Sequence, residues 1–176
     1  TALDTLALAG MNLEGTIPNG LSDLIELDVL VLIGNENLSG SLPENIGNLQ
    51  SLNHLHLKEN NLSGEIPSSL WTITDLISLD LGNNKYSGTI SIADLNFSSS
   101  FQNLKWLDLA NNNFSGEIPA NICNMNLISS FSEQFEFDDN AFCPPYPTCI
   151  DEPENQTITM CIQDCAGTYG GDLVVD

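Results

Sequence analysis

Residues 52–67 read LNHLHLKENNLSGEIP, and the same skeleton returns over 3–18, 27–43, 76–91 and 104–119, with its middle alone over 135–142. A pattern that recurs every 24 to 28 residues predicts a repeat solenoid, in which each unit buries its apolar face only against its neighbours. Any function then belongs to a surface built by several repeats together.

Each fixed position has a physical reason. Leu55 and Leu57 alternate as a short strand requires, which turns both inward and sends His54, His56 and Lys58 outward. Asn60 follows, where the chain must turn and backbone groups need partners that neither strand nor helix supplies. Its stacked counterparts Asn35, Asn84, Asn112 and Asn140 predict a ladder of side-chain amides, with Met11 at the equivalent place in the first repeat. Gly15, Gly40, Gly64, Gly88 and Gly116 allow a backbone conformation or a close approach that a side chain would obstruct. Ile17-Pro18, Leu42-Pro43, Ile66-Pro67 and Ile118-Pro119 place one more apolar residue inside and stiffen the return path. Burying four or five aliphatic side chains gains about 1.5–3 kcal/mol each. Ordering one repeat costs roughly 1–2 kcal/mol per residue in backbone entropy alone. An isolated repeat should therefore not fold, whereas stacked repeats share their faces and join their strands into one parallel sheet.

With LSGSLP at 38–43, LSGEIP at 62–67 and SGEIP at 115–119, residues 1 to about 149 resemble the plant-type leucine-rich repeat proteins. The resemblance implies an α/β solenoid of about six repeats: a right-handed coil with a parallel concave β-sheet and an irregular or 3-10 convex side. It implies binding of a protein, peptide or glycan on a repeat surface, and enzymes are not typical of the family. The expected division is a solenoid over 1–142 and a cysteine-containing cap and tail over 143–176. Two departures are an extra residue near Glu36-Asn37 and about four extra residues between Ser91 and Leu104.

The formal charge of −21 comes from 24 acidic residues against Lys58, Lys85 and Lys105, with no arginine. Nucleic acid and anionic membrane surfaces are poor partners for such a chain, and cations or basic protein patches are better ones; solubility in a salty medium is the plainer explanation. No run approaches the roughly 18 apolar residues of a membrane span. A secreted or cell-surface setting is expected, with the chain a mature form or an excised piece.

The cysteines divide by position. NAFCPPYPTC at 140–149 is similar to the paired-cysteine cap that closes plant-type arrays, which implies a bridge between Cys143 and Cys149, with Cys123 or Cys161 as the other possible partner of either. Cys123, with no base predicted beside it, is expected to be free or linked to the cap rather than a nucleophile. Cys161 and Cys165 stand four apart in CIQDC. Zinc would need a second ligand pair, so a disulfide in an oxidising compartment is expected. The last thirteen residues, DCAGTYGGDLVVD, resemble one unit of the Cys, Gly and Asp-rich repeats of secreted marine bacterial proteins, which implies excision from something longer.

The register also lays out a candidate face. Val29 and Val31 form an apolar stripe that suits a partner, or merely suits a strand. His54 and His56 project the same way with Asp80 one strand over, a set that could hold a divalent cation weakly or adventitiously; no cofactor is expected. Asp80, Asp108 and Glu136 stack in a column, which suggests a bound cation or basic ligand, or a cost accepted on a solvated face. Trp106 beside them is the expected contact anchor, and Lys58 completes the set. Three functions compete. A recognition module is favoured over a structural or ice-binding repeat protein, since no threonine column exists. A hydrolase using Asp80 with Asp108 would need a pocket, which an open sheet does not supply.

Overall fold

The computed structural model describes residues 2–90, 103–124 and 135–148. Each coil contributes two short strands, so two six-stranded parallel sheets run the length of the solenoid. The first contains β1 (Thr5–Ala7), β3 (Val29–Val31), β5 (His54–His56), β7 (Ser78–Asp80), β9 (Trp106–Asp108) and β11 (Phe135–Glu136), in that order. The second contains β2 (Glu14–Thr16), β4 (Asn37–Gly40), β6 (Asn61–Gly64), β8 (Lys85–Thr89), β10 (Asn113–Glu117) and β12 (Ala141–Cys143), likewise in chain order. The sequence reading anticipated a single sheet; the second is built by the Asn-Leu-Ser-Gly stretch. Short 3-10 turns at Asn19–Asp23, Ile46–Asn48, Ser68–Thr72 and Ala120–Asn124 form the convex return. Pro18 and Pro67 immediately precede two of these turns, where a fixed φ and a missing N–H cost nothing. No α-helix occurs among the described residues.

The leucines of the repeat fill the space between the sheets and the convex turns, with Leu30, Leu55, Leu57, Leu62, Leu79 and Leu81 fully buried. In the later coils aromatic rings replace the leucine of the second strand. Tyr86 stacks on Phe114 and Phe114 on Phe142, with centroids 6.3 and 6.1 Å apart. The core is thereby continued to the last described coil by larger side chains.

The amide ladder forms as expected and reaches backwards as well as sideways. Nδ2 of Asn112 donates to the carbonyls of Leu109 and Ala110 in its own coil and of Leu81 in the coil before. Its Oδ1 accepts the N–H of Tyr86 in that preceding coil. Asn60 and Asn84 repeat this pattern, and Asn140 does so in the last coil. Because each asparagine also serves the coil before it, the first coil needs none of its own: Asn35 Oδ1 accepts the N–H groups of Met11 and Leu13. Met11 itself is 61% exposed.

The two sheets differ in register. In the first, equivalent residues sit opposite one another, Leu30 by Leu55 and Leu55 by Leu79. In the second, each strand slips two residues against the next. Ser63 pairs with Lys85 and Gly64 with Tyr86, although Ser87 and Gly88 are their equivalents. The glycine after each serine has φ between +78° and +86°. It also lies under a side chain of the coil before: a Cβ on Gly88 would sit 2.7 Å from Glu65 Cγ, and one on Gly116 would sit 2.9 Å from Thr89 Cγ2. Conformation and close approach are both required at these positions.

β12 carries the second sheet through Cys143, so the expected boundary after residue 142 falls inside a strand. Cys143 and Cys123 are both disulfide-bonded, which removes the free form considered for Cys123. Cys149, Cys161, Cys165 and the Gly and Asp-rich tail lie outside the described residues.

Candidate binding face

The unslipped register of the first sheet stacks its outward residues in two columns. One runs Ala7, Val31, His56, Asp80, Asp108, Glu136; the other runs Thr5, Val29, His54, Ser78, Trp106. All nine predicted site residues belong to this one face, Lys58 from the end of β5 included. Its chemistry changes along the coil axis, from half-buried Val29 and Val31, through the histidines, to the acids.

The histidine rings meet edge to face, 5.9 Å apart. His56 Nε2 lies 2.8 Å from Ser78 Oγ, so its polar tip is engaged within the protein. Burial lowers the His56 pKa, and the neighbouring His54 lowers it further. Among the described residues no group of three or more His, Cys, Asp or Glu is arranged to hold a metal ion.

The acid column does not match the open row drawn from the sequence. Asp108 is only 1% exposed. Its Oδ2 accepts a hydrogen bond from Lys58 Nζ at 2.9 Å, and its Oδ1 accepts the N–H of Ala110 at 2.9 Å. The counter-ion that the stacked acids require is therefore the chain's own lysine, reaching across β7 from β5 to β9. Asp108 is a support of the face and not an open contact, a correction to its place among the ligand-binding residues. The hydrogen bond to Asp108 raises the Lys58 pKa most, against an opposing effect of burial, with the charges of Asp108, Asp80 and Glu136 adding to it. Asp80 is half-buried and pushed up to about 6, first by burial and then by Asp108; the Gly82 N–H at 3.2 Å and Lys58 pull the other way. Trp106, 36% exposed, stands at the edge of this group, and Glu136 is half-buried beyond it.

Two residues outside the predicted ligand-binding set support the face. Gly82 is needed because a Cβ there would lie 2.7 and 2.8 Å from the Asp108 oxygens. Ser78 is buried and holds His56. The signal was present in part: a lysine one outward position beyond the row of three acids, with two strand spacings, roughly 9–10 Å, between its strand and that of Asp108. Beside the face, at the entry to β5, β7 and β9, an open hollow of about 320 Å³ is lined by Asn53, Asp75, Ile77, Asn103 and Lys105.

The Leucine Rich Repeat family pattern matches residues 51–73 and 103–125. The ectodomain of the receptor kinase SOBIR1 from Arabidopsis thaliana is 33% identical, with a TM-score of 0.65 over 78% of this chain and 70% of that one. The chain belongs to the leucine-rich repeat family. PEPR1 in its complex with AtPEP1 is 35% identical over 80% of this leucine-rich repeat chain, with a TM-score of 0.67. A plant ice-binding protein is 32% identical over 73% of it, with a TM-score of 0.61. The chain spans 22% and 39% of those two relatives.

Proposed function

We propose that this leucine-rich repeat chain is an extracellular recognition module that takes a peptide or protein segment, or a glycan, along the face of its first sheet. The observation that carries this reading is the unslipped register, which brings outward side chains from six coils into two continuous columns. It gathers Val29, Val31, His54, His56, Asp80, Trp106 and Glu136 on one surface, aliphatic at one end and acidic at the other. The likeness to the SOBIR1 receptor-kinase ectodomain and to PEPR1 in its complex with AtPEP1 supports the same reading, as does an acidic charge that suits basic partners and disfavours nucleic acid. No helix among the described residues is long and apolar enough to cross a membrane. A hydrolytic role for Asp80 with Asp108 has little physical support, since Asp108 is buried beneath Lys58 and has no edge to offer a substrate. Peptide and glycan arrays probed with the wild type and with Trp106→Ala test the reading. A contact anchor removed from such a face should cost on the order of tenfold or more in affinity; equal binding by both proteins would rule the face out.

An ice-binding reading has one observation in its favour besides the neighbour: the second sheet carries Ser39, Ser63, Ser87 and Ser115, one on each of its four middle strands, with Asn37 and Asn113 exposed. The slip between strands takes equivalent hydroxyls out of line, and Glu65, Lys85 and Glu117 interrupt the array with charge. Thermal hysteresis of the purified chain should be absent on the first reading and present on this one.

A further inference from the structure

Asp80 and Asp108 face each other on β7 and β9, set alike and served unequally. Each Oδ1 accepts the backbone N–H two residues on, from Gly82 and Ala110 respectively. Only Asp108 receives the ammonium of Lys58. The charged groups around Asp80 are His54, His56, Lys58 and Glu59 on the β5 side, Asp108 and Lys105 on the β9 side, and Glu136 on β11. His56, directly opposite Asp80, turns Nε2 to Ser78. One ammonium thus serves two carboxylates about 4.8 Å apart in strand spacing, and like charges that close do not both ionise without cost.

We infer that the binding face is proton-gated: while Asp80 holds a proton beside the Asp108–Lys58 pair, the trio is neutral, and loss of that proton to water leaves Asp80 as an unbalanced carboxylate open to a cationic group of the ligand. The inference rests on the first sheet being the binding face. Its direction is fixed by charge. The trio passes from zero to −1 as pH rises, and His56, which gains positive charge in acid, works in the same sense. Burial and the Asp108 charge, which lift Asp80 to about 6, put the change between about pH 5 and pH 7.

Two measurements test it. In the ligand-free protein, carboxyl carbon NMR should show Asp80 titrating near 6; a midpoint below about 4.5, in the ordinary carboxylate range, overturns the gate and leaves the binding face standing. Then tetralysine serves as the probe, titrated calorimetrically at fixed ionic strength at about pH 5 and about pH 7.5. The wild type should bind roughly five- to tenfold tighter at the higher pH, following the ionised fraction of Asp80. Asp80→Asn should lose that ratio, and Asp75→Asn, an acid off the face, should keep it. The same pH ratio in Asp80→Asn as in the wild type, or no tetralysine binding at either pH, overturns the gate. Failure of the binding face itself registers separately, as array binding indifferent to Trp106→Ala.

Discussion

The two sheets come from the same repeats, have the same number of strands and run equally parallel, yet only one offers a surface on which chemistry can accumulate. In the first sheet the register puts like positions side by side, so a change of residue type from coil to coil becomes a gradient along a column. In the second the two-residue slip and the row of left-handed glycines serve the coiling of the chain. The outward residue after each of these glycines lies over the glycine of the next coil, as Thr16 does over Gly40, Glu65 over Gly88 and Thr89 over Gly116. One sheet is free to vary and the other is not.

The largest effect should come from a change that both sheets feel. Asn112 lies between them, buried, with its Oδ1 on the Tyr86 N–H and its Nδ2 shared among three carbonyls. Asn112→Leu strands those groups without partners. At about 1–3 kcal/mol for each truly unsatisfied group, a total loss of about 3–5 kcal/mol is expected in urea unfolding. A loss below about 1 kcal/mol would mean that the ladder is ornament. Next comes a change confined to the second sheet. Gly88→Ala meets both the φ of +85° and the Glu65 side chain at 2.7 Å, and should cost about 2–3 kcal/mol. Gly20→Ala, with ordinary φ and only Asp23 Oδ2 at 3.9 Å, should be nearly neutral and is the control.

A change confined to the first sheet should instead move stability with pH. Asp80 has its carboxyl raised from 3.8 to about 6 on folding, so the folded state holds the proton more tightly than the unfolded chain does. That contribution is complete below the unfolded value and is lost as pH rises through 6. Asp80→Asn removes the loss. It should stabilise the protein above about pH 6.5 by roughly 1–2 kcal/mol, the full shift being discounted for the partial exposure of the group, and should bring no gain below about pH 4. Unfolding midpoints measured across that range decide it, and a gain that is the same at all pH values would exclude the carboxyl as its source.

Much of this contrast was legible in the sequence, for a physical reason. Period-two alternation around Leu55 and Leu57 fixes which way His54, His56 and Lys58 point, and constant offsets from coil to coil fix which of them are neighbours. His56 beside Asp80, and Asp80 beside Asp108, follow from counting alone. What counting could not give was depth. Asp108 and Ser78 occupy outward positions and are nevertheless buried, because a long side chain folds over one and an imidazole leans on the other. Burial of that kind is decided by neighbours far away in the chain, Lys58 being fifty positions from Asp108. The second sheet was missed for a different reason. Asn-Leu-Ser-Gly reads locally as a turn, and only the backbone partners supplied by adjacent coils make it a strand.

The smallest effect separates shape from chemistry within the first sheet's own edge. One residue per coil adopts a left-handed conformation just after the strand: Gly10, Gly34, Glu59, Asn83, Asn111 and Asp139, with φ from +51° to +70°. Glycine and asparagine visit that region routinely, whereas a glutamate there holds its Cβ against the following carbonyl without a short side chain to offset the strain. Glu59 is exposed. Glu59→Asn should therefore stabilise the coil by about 0.5–1 kcal/mol through backbone strain alone, independently of pH. If the gain instead appeared only above pH 6 and vanished in Asp80→Asn, its origin would be repulsion between Glu59 and the Asp80 carboxylate. The acid group of the face would then extend one column further than the register of the strands assigns it.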